Sequence, residues 1–391
     1  MNLPRRFHIL ICPDSFKGSL SARAAAFAMA RGARSARPDA RVTCLPLADG
    51  GEGTLDALAD AGGRLSARWV RGPLGDPVRA RFLLLPRRTA VVEMAQAAGL
   101  LLVPPARRDP VRATTFGVGE LFAAALAARA RRIVVTVGGS ATVDAGSGMA
   151  AALGAKLLDA DGKPIEPGGL GLLRLARIDV SPVRRRLRGV TVLGATDVRS
   201  PLLGPRGARL YTAQKGATPS QMRLLDRALA NFARVVRRDL GLDVARLPGG
   251  GAAGGLGAGL VALLGAKLVP GADTIFELLG LDAALRHADL VLTGEGSLDA
   301  QTAQGKLVAR VAAHARRVRV PGSAKGAAGC SGIPVWAFAG RVMLPPRAVS
   351  ALGLSGVWGL TERGISKRVS VRNAAVLLEE RVGEVLRGTV P

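Results

Sequence analysis

Cysteine, aromatic residues, histidine and acid are all scarce in this 391-residue chain, and each shortage excludes something. The cysteines are Cys12, Cys44 and Cys330, an odd number at wide spacings, which makes neither a disulfide frame nor a zinc motif. Cys12 and Cys44 lie in apolar runs and are expected as small buried hydrophobes. Aromatics make up 3% of the chain, too few to stack on bases. His8, His287 and His314 share no spacing, and no Ser-His-Asp order or zinc set emerges. No apolar run reaches the roughly 18 residues of a spanning helix. The apolar run after Arg5-Arg6 is cut off by Pro13-Asp14 and reads as a first strand, not a secretory leader. A Walker G-x-x-x-x-G-K-[ST] motif is absent, which excludes a P-loop kinase, and so is the protein-kinase signature set.

Acid is outnumbered by base, 29 residues to 55, for a net charge of +26. Such chains often bind nucleic acid or anionic membranes. Here the arginines are scattered rather than blocked, and their excess reads as coding bias. Neither partner is expected; a positive field also suits anionic small substrates. Lysine occurs at only eight positions, so a lysine inside a motif carries information.

What is abundant is apolar residue, 48% of the chain. The length exceeds the roughly 250–300 residues of a single core and predicts two domains. Strands are predicted at Phe7–Cys12, Val42–Leu47, Ala90–Met94, Ile133–Val137, Val190–Ala195, Leu290–Thr293 and Val335–Ala339. Helices are predicted at Ser21–Ser35, Thr54–Asp60, Gly119–Ala130, Ser220–Leu240, Leu256–Leu264, Lys306–Arg316 and Val371–Leu386. The alternation implies parallel sheets, which place ligands beyond the carboxyl ends of their strands.

Those ends are where the chemistry-bearing residues gather. After the first strand, Asp14, Ser15, Lys17 and Ser19 share one turn, with Ser19 or Ser21 capping the next helix. After the second, Asp49 and Glu52 flank Gly50 and Gly51, a turn suited to Mg²⁺ or a diol. Gly138, Gly139 and Ser140 follow the Ile133–Val137 strand, with Asp144 just beyond, and can cradle phosphate without a Walker lysine. Asp197 ends another strand. Gln214 and Lys215 precede a helix that Thr218 and Pro219 open. The stretch Gly51–Ala57 is echoed by Gly294–Ala300. Each is predicted to follow a strand and open a helix, either as a capped start, by Thr54 or Ser297, or as an anion-holding turn. The Gly249–Gly259 stretch is expected as a hinge or tight helix entrance, and Val318–Gly332 as a surface loop.

Taken together, PDSFKGSLSA (13–22), ADGGEGT (48–54), GGSAT (138–142), QKGATP (214–219), GAAGGLGAGL (251–260) and TGEGSLD (293–299) resemble the bacterial glycerate kinase type-1 family. The stretches come in family order and extend to about Gly340. The resemblance implies two α/β domains with a cleft between them. One is flavodoxin-like with a parallel sheet, residues 1–65 plus 285–391; the other is inserted, residues 66–284. It implies a cytoplasmic enzyme that uses ATP and Mg²⁺ to phosphorylate D-glycerate on its 2-hydroxyl, in glyoxylate or sugar-acid catabolism, with a homodimer left open.

On that basis Asp197 or Asp14 accepts the hydroxyl proton, and Lys17 and Lys215 neutralise anionic charge. Ser15, Ser19, Gly50, Gly51, Gly138, Gly139, Ser140, Asp144, Gln214, Gly294, Gly296, Asp299 and Lys306 bind substrate or nucleotide. Asp49, Glu52 and Glu295 help hold Mg²⁺. The sequence departs from the family's usual pattern at Val143, where Asn is usual, and at Ala145, where Gly is usual. Asn is also missing around Arg199, and Gln304 stands before Gly305-Lys306. A kinase making 3-phosphoglycerate or using another hydroxy acid, and a non-catalytic binding homologue, stay open as alternatives.

Overall fold

The apolar run after Arg6 forms strand β1 (His8–Ile11), buried throughout, as a strand covered on both faces must be. Ser21 caps the helix Ala22–Ala36, its Oγ accepting from Ala24 N at 3.2 Å, and β2 (Arg41–Cys44) returns parallel to β1. The computed structural model describes residues 6–51, 53–299, 302, 307–318, 332–361 and 365–389. They fall into two units, Met1–Asp49 with Ala272–Pro391, and Gly50–Gly271. The divisions therefore lie at 49/50 and 271/272, not at 65/66 and 284/285. The helix Thr54–Asp60 goes with the second unit because its Leu55 amide bonds to Glu93 there. The helix Leu281–Leu285 goes with the first, where Asp282 bonds to His314.

In the second unit the strands are β3 (Arg64–Arg71), β4 (Pro77–Leu85), β5 (Thr89–Glu93), β6 (Arg132–Thr136), β7 (Lys156–Leu158), β8 (Arg177–Asp179), β9 (Thr191–Ala195) and β10 (Lys267–Val269). Six form one sheet in the order β10-β9-β6-β5-β4-β3, while β7 and β8 pair as a hairpin. Pairing is parallel from β10 to β5 and antiparallel from β5 to β3, so this sheet is mixed rather than parallel. The arginine-rich β3 is mostly outside the core, so no apolar run betrays it. A capping box of Thr218 and Gln221 starts the helix Pro219–Leu240, and Gly241 ends it at φ 69°. The core centres on Phe82, Phe122, Val135, Phe232 and Leu260.

The chain then re-enters the first unit as β11 (Leu290–Leu298), β12 (Val335–Val342) and β13 (Gly356–Gly359). The sheet order is β13-β12-β11-β1-β2, parallel throughout. In the unit's own strand order this is 2-1-3-4-5, the flavodoxin-like arrangement. Residues 294–298 extend β11, and Ser297 pairs with Arg341 of β12, so this stretch opens no helix and Ser297 is no cap. Thr54 is not a cap either: Gly53 holds that place at φ 89°, and Thr54 Oγ1 donates to Gly51 O at 2.7 Å. The single helix expected at 371–386 is two, Lys367–Arg372 and Ala374–Thr389. The latter packs so closely on Ala22–Ala36 that a Cβ at Gly32 would collide with the Glu379 carbonyl. Among the described residues, no helix is long and apolar enough to cross a membrane.

Candidate active site

Two sets of polar and charged residues gather beyond strand ends, one in each unit. In the first unit a cavity of about 280 Å³ opens at the carboxyl ends of the parallel strands. Asp14, Ser15, Lys17 and Ser19 line it from the turn after β1, Asp49 from beyond β2, Glu295 and Gly296 from β11, and Arg341 from β12. The turn after β1 is built by its own hydrogen bonds. Asp14 N donates to Gly294 O at 2.8 Å, Ser15 N to Asp14 Oδ1 at 2.6 Å, and Ser19 Oγ to Phe16 O at 2.9 Å. The cap of the following helix is Ser21, which leaves Ser19 to close this turn.

Gly294 and Gly296 are small for a steric reason. A Cβ on Gly294 would collide with the Phe338 carbonyl, and one on Gly296 would sit 3.3 Å from Lys17 N. Glu295, between them, is buried, and its Oε1 accepts from Thr302 Oγ1 at 2.6 Å. The Asp299 amide in turn donates to Thr302 Oγ1 at 3.1 Å. Three carboxylates thus act on one another here. Burial first, then Asp49 and Glu295, push the Asp14 carboxyl up to about 7, against the Ser15 amide and Lys17. Among the described residues no three His, Cys, Asp or Glu are grouped as a ready metal cage. Mg²⁺ needs no such cage, since it binds one or two carboxylates and completes its shell with water and phosphate oxygens. Asp49 and Glu295 are hard oxygen donors of that kind.

In the second unit the loop after β6 lies against the turn after β2. A Cβ on Gly138 would come within 3.1 Å of Gly51 Cα, and Gly139 has φ +69°. Both positions require glycine and leave backbone open to close approach. Ser140 is nearly buried, and Lys215, 3% exposed, donates from Nζ to Ser140 Oγ and to Thr142 O, each at 2.7 Å. Lys215 therefore lies beneath the loop instead of facing solvent, because the turn Ala213–Lys215 directs it inward. Burial pushes its ammonium down to about 7, with Asp144 opposing. Asp144 is fully buried and ties the segment together, accepting from Thr115 N at 2.8 Å, Thr115 Oγ1 at 2.9 Å and Gly146 N at 3.2 Å. Asp197 and Gln214 are exposed; Asp197 Oδ1 accepts from Gly271 N at 3.1 Å, and Gln214 O accepts from Arg108.

The glycine stretch at 251–260 is a tight helix entrance. Its Ala253, Gly254 and Gly255 have positive φ at the start of the helix Ala252–Leu264. A Cβ at Gly254 would strike the Thr142 carbonyl, and one at Gly259 the Ala145 carbonyl, so the segment clamps the 142–146 loop. Two of the expected departures, Val143 and Ala145, sit in this contact: Val143 is a core residue, and Ala145 takes φ +49°.

Sequence reading overlooked Glu93, Thr302 and Arg341. Glu93 is 2% exposed at the end of β5; Oε2 accepts from Leu55 N at 3.3 Å, while Oε1 has no hydrogen-bond partner among the described residues. Burial pushes it up to about 7. A lone acid closing the apolar run 90–93 was its signal. Glu52 and Lys306 lie outside the described residues, as do Gln304, Cys330 and most of 318–332.

With this geometry in hand, the relatives are informative. A sequence model of the glycerate kinase family matches residues 9–389, well past Gly340. A glycerate kinase of Halalkalibacterium halodurans is 43% identical over 375 residues, 95% of each chain. The glycerate 2-kinase of Escherichia coli is 44% identical over 316 residues, 80% of this chain and 83% of its own. A crystal structure from Salmonella typhimurium LT2, assigned as a glycerate kinase 2, superposes with a TM-score of 0.85 at 42% identity and covers 98% of both chains. The chain belongs to the glycerate kinase family of phosphotransferases.

Proposed function

We propose that this chain transfers the γ-phosphoryl group of ATP to the 2-hydroxyl of D-glycerate, in cytoplasmic catabolism of organic acids. The observation that carries the reading is that Asp14 and Asp49, from beyond β1 and β2, and Glu295, within β11, line one cavity together with Lys17. Phosphoryl transfer asks little covalent chemistry of a protein; it asks for positioning, charge neutralisation and a proton acceptor. Asp14 suits the last task, since a carboxyl held near 7 can take a hydroxyl proton at neutral pH. Asp197 is the alternative acceptor, and its bond to the Gly271 amide also gives it an anchoring role. Lys17 is exposed at the cavity and neutralises anionic oxygens there.

Asp49 and Glu295 would hold Mg²⁺. When bound, the ion neutralises charge on the phosphate oxygens. The Gly138-Gly139-Ser140 loop supplies amides and a hydroxyl to phosphate, with Lys215 supporting it from below. Steady-state ADP release with a panel of acceptors tests the reading. D-glycerate is expected to give the highest kcat/KM, above L-glycerate and other small hydroxy acids. A better acceptor would reassign the substrate, and folded protein inert toward all of them would favour the non-catalytic alternative.

A further inference from the structure

Lys215 touches the loop after β6 only from its buried side, so its effect on an anion must pass through another group. Two of its contacts are defined, Ser140 Oγ and Thr142 O, each at 2.7 Å from Nζ. The charged group acting on it is Asp144, whose carboxylate is already taken by Thr115 and the Gly146 and Gly148 amides. Arg108 lies against the adjacent Gly216 and donates to Gln214 O.

A serine hydroxyl has one proton and two lone pairs, while an ammonium has only donors. While Lys215 is charged it occupies a lone pair of Ser140, and the Ser140 O–H must point elsewhere. That leaves the hydroxyl proton available to an anion's oxygen. A neutral amine reverses the arrangement, because Nζ then offers a lone pair and Ser140 can donate inward. The geometry points to Lys215 as a positioning residue whose protonation sets the direction of the Ser140 hydroxyl and couples anion binding at this loop to proton uptake. This inference rests on the proposed phosphate-holding role of residues 138–140.

Both protonation states are accessible near neutrality, since burial has brought the ammonium down to about 7. An anion at the loop favours the charged form, so binding just above neutral pH draws in a fraction of a proton.

The test is calorimetric titration of the full chain with ADP and Mg²⁺ at about pH 7.5, in buffers of different ionisation enthalpy. The parent protein should take up more protons than Lys215→Met, and Ser140→Ala should bind ADP about tenfold more weakly and lose most of the extra uptake. Any proton linkage of ADP itself, or of Asp14 and Glu93, is common to all three proteins and cancels in the comparison. Should Lys215→Met fail to fold, the parent and Ser140→Ala carry the comparison alone. Weakened binding in Ser140→Ala with parental proton uptake overturns the coupling and leaves the loop as a phosphate site. Parental affinity in Ser140→Ala overturns both, because the loop then does not hold phosphate.

Discussion

The Leu55 amide donates to Glu93 Oε2 at 3.3 Å, joining the first turn of the helix Thr54–Asp60 to the end of β5. The other oxygen, Oε1, is buried with no hydrogen-bond partner among the described residues, and burial pushes the carboxyl up to about 7. A folded-state pKa above the unfolded one means that the native state binds the proton more tightly. Stability is then greatest below the ordinary carboxylate range and falls as pH rises through about 7, by about 3 kcal/mol for this group. Glu93→Gln, which stays neutral, should flatten that part of the stability–pH curve. Urea unfolding between pH 4 and 8, roughly the span over which Glu93 titrates, checks it; parallel curves for the two proteins would refute the assignment.

Ala145 adopts φ +49° and is fully buried. Left-handed backbone costs a residue with a Cβ roughly 1–2 kcal/mol, and a buried methyl contributes about 0.8 kcal/mol. Ala145→Gly should therefore stay within about 1 kcal/mol of the parent, or gain slightly. Ala145→Val should lose more than about 2 kcal/mol, since branching adds strain to a buried residue already held at positive φ. Denaturant midpoints distinguish these cases, and a large loss in Ala145→Gly would show that the methyl outweighs the strain.

If Asp14 accepts the hydroxyl proton, kcat/KM should fall as pH drops through about 7, because the carboxylate is then protonated. Asp14→Asn should lose about 10²–10⁴-fold in kcat while remaining folded. Asp197→Asn should lose less than tenfold if its main task is the Gly271 amide. The opposite ranking would make Asp197 the proton acceptor.

Gly254→Ala tests the clamp on the 142–146 loop. The new methyl would meet the Thr142 carbonyl, the same oxygen that receives the Lys215 ammonium. KM for ATP should rise at least severalfold, with a loss of stability of about 3 kcal/mol. Parental KM and stability would mean that the helix entrance yields freely.

Much of this fold is written locally in the chain. Runs such as 8–11 and 132–136 are buried almost throughout, and each ends in a polar turn, so a strand and the turn after it are read together. The edge strands β3, β10 and β13 were not legible, although the edge strand β2 was. β3 is rich in arginine and gains its place from pairing with β4 rather than from burial. The 294–298 segment misleads for a related reason: its glycines suggest a helix start, but the backbone of β12 alongside converts them into strand. Depth was also invisible. Lys215 reads as a charge-neutralising cation in a polar motif, and only the path of its turn carries it under Ser140. Glu93 was overlooked for the same reason, since its burial depends on packing that no local pattern records.

The position of the new phosphate ester tests the central claim most directly. With D-glycerate, ATP and Mg²⁺, the product can be followed by coupling to enolase with and without phosphoglycerate mutase. The account predicts full signal with enolase alone, because 2-phosphoglycerate needs no isomerisation. Signal that appears only after the mutase is added would identify 3-phosphoglycerate and contradict the proposed regiochemistry.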